Sequence, residues 1–100
     1  MMTNIDFSIF SSPIKAYGSV SGEIDVPEPV SEGNEVFILQ TGKGDWFSGK
    51  LKIVFMTRLQ GDSEKTVIGL EDVVAPSSEA ARDLITRLEN EAGLFFDKYD

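Results

Sequence analysis

Apolar and polar positions alternate almost from the start of the chain. Ile5, Phe7 and Ile9 alternate with Asp6 and Ser8, the period of two of a strand buried on one face, and Ser11-Ser12-Pro13 ends the run. The clearest alternation follows. Ala16, Gly18, Val20, Gly22, Ile24 and Val26 share one face, and Tyr17, Ser19, Ser21, Glu23 and Asp25 share the other, which predicts one long strand over 15–26. The two inward glycines leave room for another backbone to approach, or for a bulge of the kind that curls a sheet toward a barrel.

Pro27-Glu28-Pro29 cannot continue a central strand, because proline has no donor for the ladder, and Ser31-Glu32-Gly33-Asn34 supplies a turn. Val36-Phe37-Ile38-Leu39 is a continuous apolar run, which predicts a strand buried on both faces in the middle of the sheet. After a glycine-rich loop over 41–49, Leu51, Ile53 and Phe55 alternate with Lys50, Lys52 and Val54 as a fourth strand. The turn over 60–65 leads to a fifth strand over 66–74.

Pro76 ends that strand, and Ser77 or Ser78 can cap a helix by accepting a hydrogen bond from an unpaired backbone N–H. Ala81, Leu84, Ile85, Leu88, Ala92 and Phe95 follow helical spacing, Asp83–Arg87 and Arg87–Glu91 are i,i+4 charge pairs, and Gly93 is the natural stop. The tail over 94–100 is too aromatic for a solvated end, so part of it should fold back onto the core. Together these elements predict a single α+β domain over residues 1–100. Its sheet is curved and mainly antiparallel, with about five strands and a barrel-like form in view, and the C-terminal helix packs on it.

One hundred residues at 41% apolar and 26% charged are enough for one core and no more. The absence of cysteine leaves packing as the only staple and suits a reducing compartment. The first residues show neither a basic leader nor a long apolar run, and no Asn-x-Ser/Thr acceptor occurs, so the expectation is a cytoplasmic protein with no membrane association.

The formal charge of −8 repels phosphate backbones and makes nucleic acid an unlikely partner. It is unevenly spread. Residues 1–40 carry six carboxylates against Lys15, and residues 66–100 carry eight acidic groups against three basic ones. In between, 41–65 hold five basic groups against three acidic ones, and only there would an anion be welcome.

With neither histidine nor cysteine, Ser-His-Asp and Cys-His catalysis and the usual zinc sites cannot be built, and no cofactor is implied. Glu71 and Asp72 are adjacent, so on a strand they point to opposite faces and cannot act as a pair; a structural hydrogen bond or a solvated edge is the better reading. Gly44-Asp45-Trp46-Phe47-Ser48-Gly49-Lys50 matches seven positions of a phosphate-binding loop. The eighth is Leu51, where a hydroxyl should meet magnesium, and a strand rather than a helix follows.

The same loop is the best candidate for binding. Trp46, the only tryptophan, lies with Phe47 among three glycines, flanked by Lys43, Lys50 and Lys52, a composition found in binding hot spots and stacking platforms. The competing and commoner fate of such aromatics is to turn inward and plug one end of the sheet. The leading expectation is a non-catalytic protein-interaction domain with a basic partner, a composition shared by small acidic inhibitors and immunity-type proteins. The alternative is a curved-sheet domain holding a small anionic ligand or a single nucleic-acid strand at Trp46, Lys43, Lys50 and Lys52. Should the loop not bind, the acidic strand face of Glu23 and Asp25 is next in line.

Overall fold

The first two strands form a hairpin, β1 (Met2–Ser12) and β2 (Lys15–Asp25), whose register sets Ile5, Phe7 and Ile9 opposite Gly22, Val20 and Gly18. The structure, a computed structural model, describes residues 2–26, 31–40, 45–59 and 65–99. Further along come β3 (Glu35–Phe37), β4 (Lys50–Leu59), β5 (Lys65–Leu70), β6 (Val73–Val74), helix α1 (Ser78–Glu91) and β7 (Phe95–Lys98). The strand order is β3-β4-β5-β1-β2-β7, with β6 beside β1 beyond the end of β5. This is an α+β fold with one helix. The sheet is open, with β3 and β7 at its two edges, and the barrel-like form is not adopted.

The sheet is mixed. Four pairings are antiparallel, as expected, but β1 runs parallel to both β5 and β6, with Ile5 beside Ile68 and Ile9 beside Val73. Parallel neighbours cannot be joined by a tight turn, so a crossover is required. The chain makes it through β2, β3 and β4; helix α1 then makes another, from β6 to β7, which pairs antiparallel to β2 and therefore runs in the same direction as β1 and β6.

The inward face of the sheet carries Ile5, Phe7, Ile9, Val20, Ile53 and Ile68, and α1 covers it with Ala81, Leu84, Ile85 and Leu88, all buried. Ser77 caps the helix, its hydroxyl accepting from the Ala80 N–H at 3.1 Å. Gly93 ends it with φ +68, a left-handed value that suits glycine, and the Leu94 N–H then donates to the Leu88 carbonyl at 3.2 Å. The helix stops at Glu91, so Phe95 does not continue its stripe; it opens β7 and faces solvent. The aromatic tail does fold back. Leu94 is buried and Phe96 half-buried, and a side chain on Gly18 would collide with the Phe96 ring and the Asp97 carbonyl. One on Gly22 would meet Leu94 at 2.8 Å. The inward glycines therefore admit another backbone, as their spacing suggested.

Three further expectations are corrected. The run over 36–39 is not a central strand: β3 is three residues long, pairs only with β4, and exposes Phe37 while Val36, Ile38 and Leu39 are buried. The fifth strand is two pieces. Gly69 pairs with Asp6 but Val73 pairs with Ile9, so four steps along one chain match three along β1, and Glu71 and Asp72 fall in the break. Lastly, β4 bulges at Val54, because Ile53 pairs with Leu70 and Phe55 with Gly69. The extra residue turns Phe55 from the core to the opposite face, where its ring lies directly on Gly69. Glu71 ties these irregularities together: its N–H donates to the Lys52 carbonyl at 3.0 Å, and its carboxylate accepts from the Lys52 N–H at 3.2 Å.

Because Leu84 sits at the centre of the only stripe joining helix to sheet, Leu84→Ala should cost about 2 to 5 kcal/mol. Chemical denaturation followed by circular dichroism checks this, and a midpoint equal to that of the parent would separate α1 from the core.

Candidate functional site

The loop entering β4 divides its residues between different surfaces. Phe47 is 8% exposed and belongs to the core, while Trp46 beside it is 43% exposed, the two rings lying 5.9 Å apart and tilted by 41°. One aromatic plugs the sheet and the other stays at the surface. Together with Asp45, Asp83, Leu84 and Arg87 they line a recess of about 210 Å³ against the helix.

Arg87 fastens this corner. Its guanidinium donates to the Gln40 carbonyl at 2.6 Å and to the Glu91 carboxylate at 2.9 Å, and it reaches Asp45 at 3.7 Å. Of the two helical charge pairs expected, Arg87–Glu91 forms. Among the described residues Arg87 pairs with Asp45 rather than with Asp83. The arginine pKa is raised, first by the bond to Glu91 and then by the charges of Glu91 and Asp45, so the clamp stays charged. Among the described residues, two carboxylates and one committed arginine leave this recess no spare positive charge for an anion.

Lys50 and Lys52 lie elsewhere. Leu51 and Ile53 between and beyond them are buried, so the alternation of β4 places both lysines on the face opposite the helix. There Lys50 Nζ stands 5.1 Å from the centre of the Phe37 ring, and Lys52 pairs across the ladder with Glu35. Trp46 and Phe47 are thus together on the helix side, and the two lysines are together on the other. Lys43 lies outside the described residues. The loop runs straight into a strand, with Ser48 Oγ accepting from the Lys50 N–H at 3.3 Å, and no helix N-terminus follows to receive a phosphate.

The sheet face without a helix holds an arrangement that sequence reasoning missed. One row runs across it through four pairings: Phe55 beside Gly69, Gly69 beside Asp6, Asp6 beside Ser21, and Ser21 beside Phe95. Its ends are exposed phenylalanines, 48% for Phe55 and 72% for Phe95, spaced by four strand separations or roughly 19 Å. Beside Phe95 lies a furrow of about 900 Å³ whose charged lining among the described residues is Asp6 and Glu23, with Asn4, Ser19 and Ser21 beside them. Asp97 extends the acidic side from β7, opposite Ser19, and the neighbouring Ser8 hydroxyl is 3.3 Å from that of Tyr99. The alternation of β2 already placed Glu23 and Asp25 on this face, but the aromatic ends come from residues far apart in the chain.

Among the described residues no group of carboxylates is gathered as a metal site, and no helix is long and apolar enough to cross a membrane. Comparison with protein-family models, with curated proteins and with solved structures returns no match in any of the three.

The division of the loop has a direct optical consequence. Phe47→Ala should cost about 3 to 5 kcal/mol and Trp46→Ala about 1 kcal/mol. Arg87→Ala should red-shift Trp46 emission and raise its quenching by acrylamide without unfolding the chain, since it frees the segments bearing Gln40 and Asp45. Trp46 emission identical in the parent and in Arg87→Ala would show that the clamp does not hold the tryptophan.

Proposed function

We propose that this chain is a non-catalytic protein-interaction domain that docks a basic protein through its uncovered sheet face, in the manner of a small acidic inhibitor or immunity-type protein working in the cytoplasm. The row Phe55-Gly69-Asp6-Ser21-Phe95 carries the reading. Two exposed aromatic rings supply apolar anchor points of the kind that dominate binding energies, and the carboxylates between them select a partner bearing lysine or arginine. A rigid sheet presents these groups without an ordering cost, and the net charge of −8 speeds the encounter with a basic partner at low salt.

The alternative, an anionic ligand or single strand at the Trp46 loop, has less support. Lys50 and Lys52 stand on the opposite face from Trp46, whose own surroundings include Asp45 and Asp83.

The test is capture of partners by the tagged full chain, identified by mass spectrometry, in parallel with two sheet-face variants and with Trp46→Ala. Asp6→Lys combined with Glu23→Lys should lose the partner, Phe95→Ala should weaken its binding by about 2 kcal/mol, and raising the salt should weaken the parent complex. A partner held equally by all three proteins but released by Trp46→Ala would move the site to the loop and overturn the proposal.

A further inference from the structure

The edge strand β3 can be read residue by residue for where its backbone groups point. The Ile38 N–H donates to the Gly49 carbonyl at 2.9 Å and the Ile53 N–H to the Asn34 carbonyl at 2.8 Å, so positions 34, 36 and 38 turn their hydrogen-bonding groups toward β4. Glu35 and Phe37, between them, aim theirs away from the sheet. Among the described residues no strand lies on that side, and a depression lined by Phe37, Ile38, Leu39, Gln40, Ser48 and Glu91 borders it. Phe37, at 71% exposure, is among the most exposed aromatic side chains of the described residues.

We propose that β3 is a seam for a second copy of this chain. Two β3 strands pair antiparallel about a two-fold axis at Val36, and Glu35 of each copy then lies opposite Phe37 of the other. In this register the outward groups of those residues meet as hydrogen-bonded pairs, and the same patch serves both copies, as a closed two-fold interface requires. The side chains fit the register. Each Phe37 lies beneath its own Lys50, so Glu35 of one copy comes beside the other copy's Phe37 and within reach of its Lys50. The competing two-fold registers are worse: one sets Glu35 against Glu35, and the other brings the two Lys50 side chains together. A lysine beside a short edge strand ordinarily blunts it against pairing. Here the lysine has a carboxylate to meet across the seam.

A three-residue seam buries less than the roughly 1,200 Å² of stable interfaces, so the association is weak, with a dissociation constant on the order of 100 μM. It uses an edge, whereas the proposed partner face is the broad side of the sheet, and it needs no partner to be observed.

Sedimentation velocity on the full chain alone, from micromolar to millimolar concentration, tests it. The expected result is a monomer–dimer equilibrium. Phe37→Pro removes an outward N–H that no other described residue accepts, at an edge where proline is tolerated, and should raise the dissociation constant at least tenfold with no loss of helix signal. Glu35→Lys and Lys50→Glu should each weaken the dimer, and the double variant should restore it. A chain that stays monomeric throughout overturns the proposal, as does a dimer indifferent to Phe37→Pro. If Phe37→Pro fails to fold, the charge exchange decides: a double variant no better than the singles removes β3 as the seam.

Discussion

Strand β1 is hydrogen-bonded along both edges in opposite senses, and most of the architecture follows from that. On one side it meets β2 through the turn at Pro13 and Ile14; on the other it meets β5 and β6, which run parallel to it. Because β7 pairs antiparallel to β2, the chain must leave β6 and return in the same direction, and in doing so it passes over the β1–β2 pair before adding β7. The passage is α1. Its apolar stripe joins Ile5, Phe7, Ile9 and Val20 in the core. With a single helix available, no described element covers the opposite face, and the polar residues of β1 and β2 that alternate with the core stripe become a surface rather than a second layer.

Local pattern revealed what was inside and what was outside, and much of the fold was legible on those terms. The hairpin strands, the serine cap, the helical stripe over 81–88 and the return of the aromatic tail all leave signatures within a few residues of where they act. Pairing partners do not. Asn4 lies beside Val67, and nothing near either residue records it. Phase was lost wherever one residue was inserted: Val54 in β4 sends Phe55 outward, and the break at Glu71 and Asp72 resets the inward positions from Leu70 to Val73. A run such as Val36-Phe37-Ile38-Leu39 misleads for a related reason. The chain leaves the strand after Phe37, so Leu39 reaches the core from outside the pleat and simulates a strand buried on both sides.

The candidate site shows the same limit from the functional side. Trp46, Phe47, Lys50 and Lys52 are neighbours in the chain, but the first two lie in the loop before β4, against the helix, while the alternation of β4 turns the two lysines to the opposite face. The aromatic residues that do share a surface with Asp6 and Glu23 are Phe55 and Phe95, one displaced by a bulge and the other brought in by a crossover. Only the carboxylates of that face were accessible to periodicity, through the regular alternation of β2.

The dual pairing of β1 also imposes an order of events on the nascent chain. The hairpin of β1 and β2 needs only local contacts and can close as soon as residue 25 has been made. The other edge of β1 then waits through the synthesis of β3, β4 and β5, and the Ile5, Phe7 and Ile9 stripe waits longer still, until α1 can cover it. Until β5 and α1 have been made, the hairpin therefore displays an unpaired strand edge beside an uncovered apolar stripe, a combination prone to off-pathway association. The carboxylates on the far side of the same strands, Asp6, Glu23 and Asp25, give two such hairpins the same sign of charge, which opposes their association during that interval.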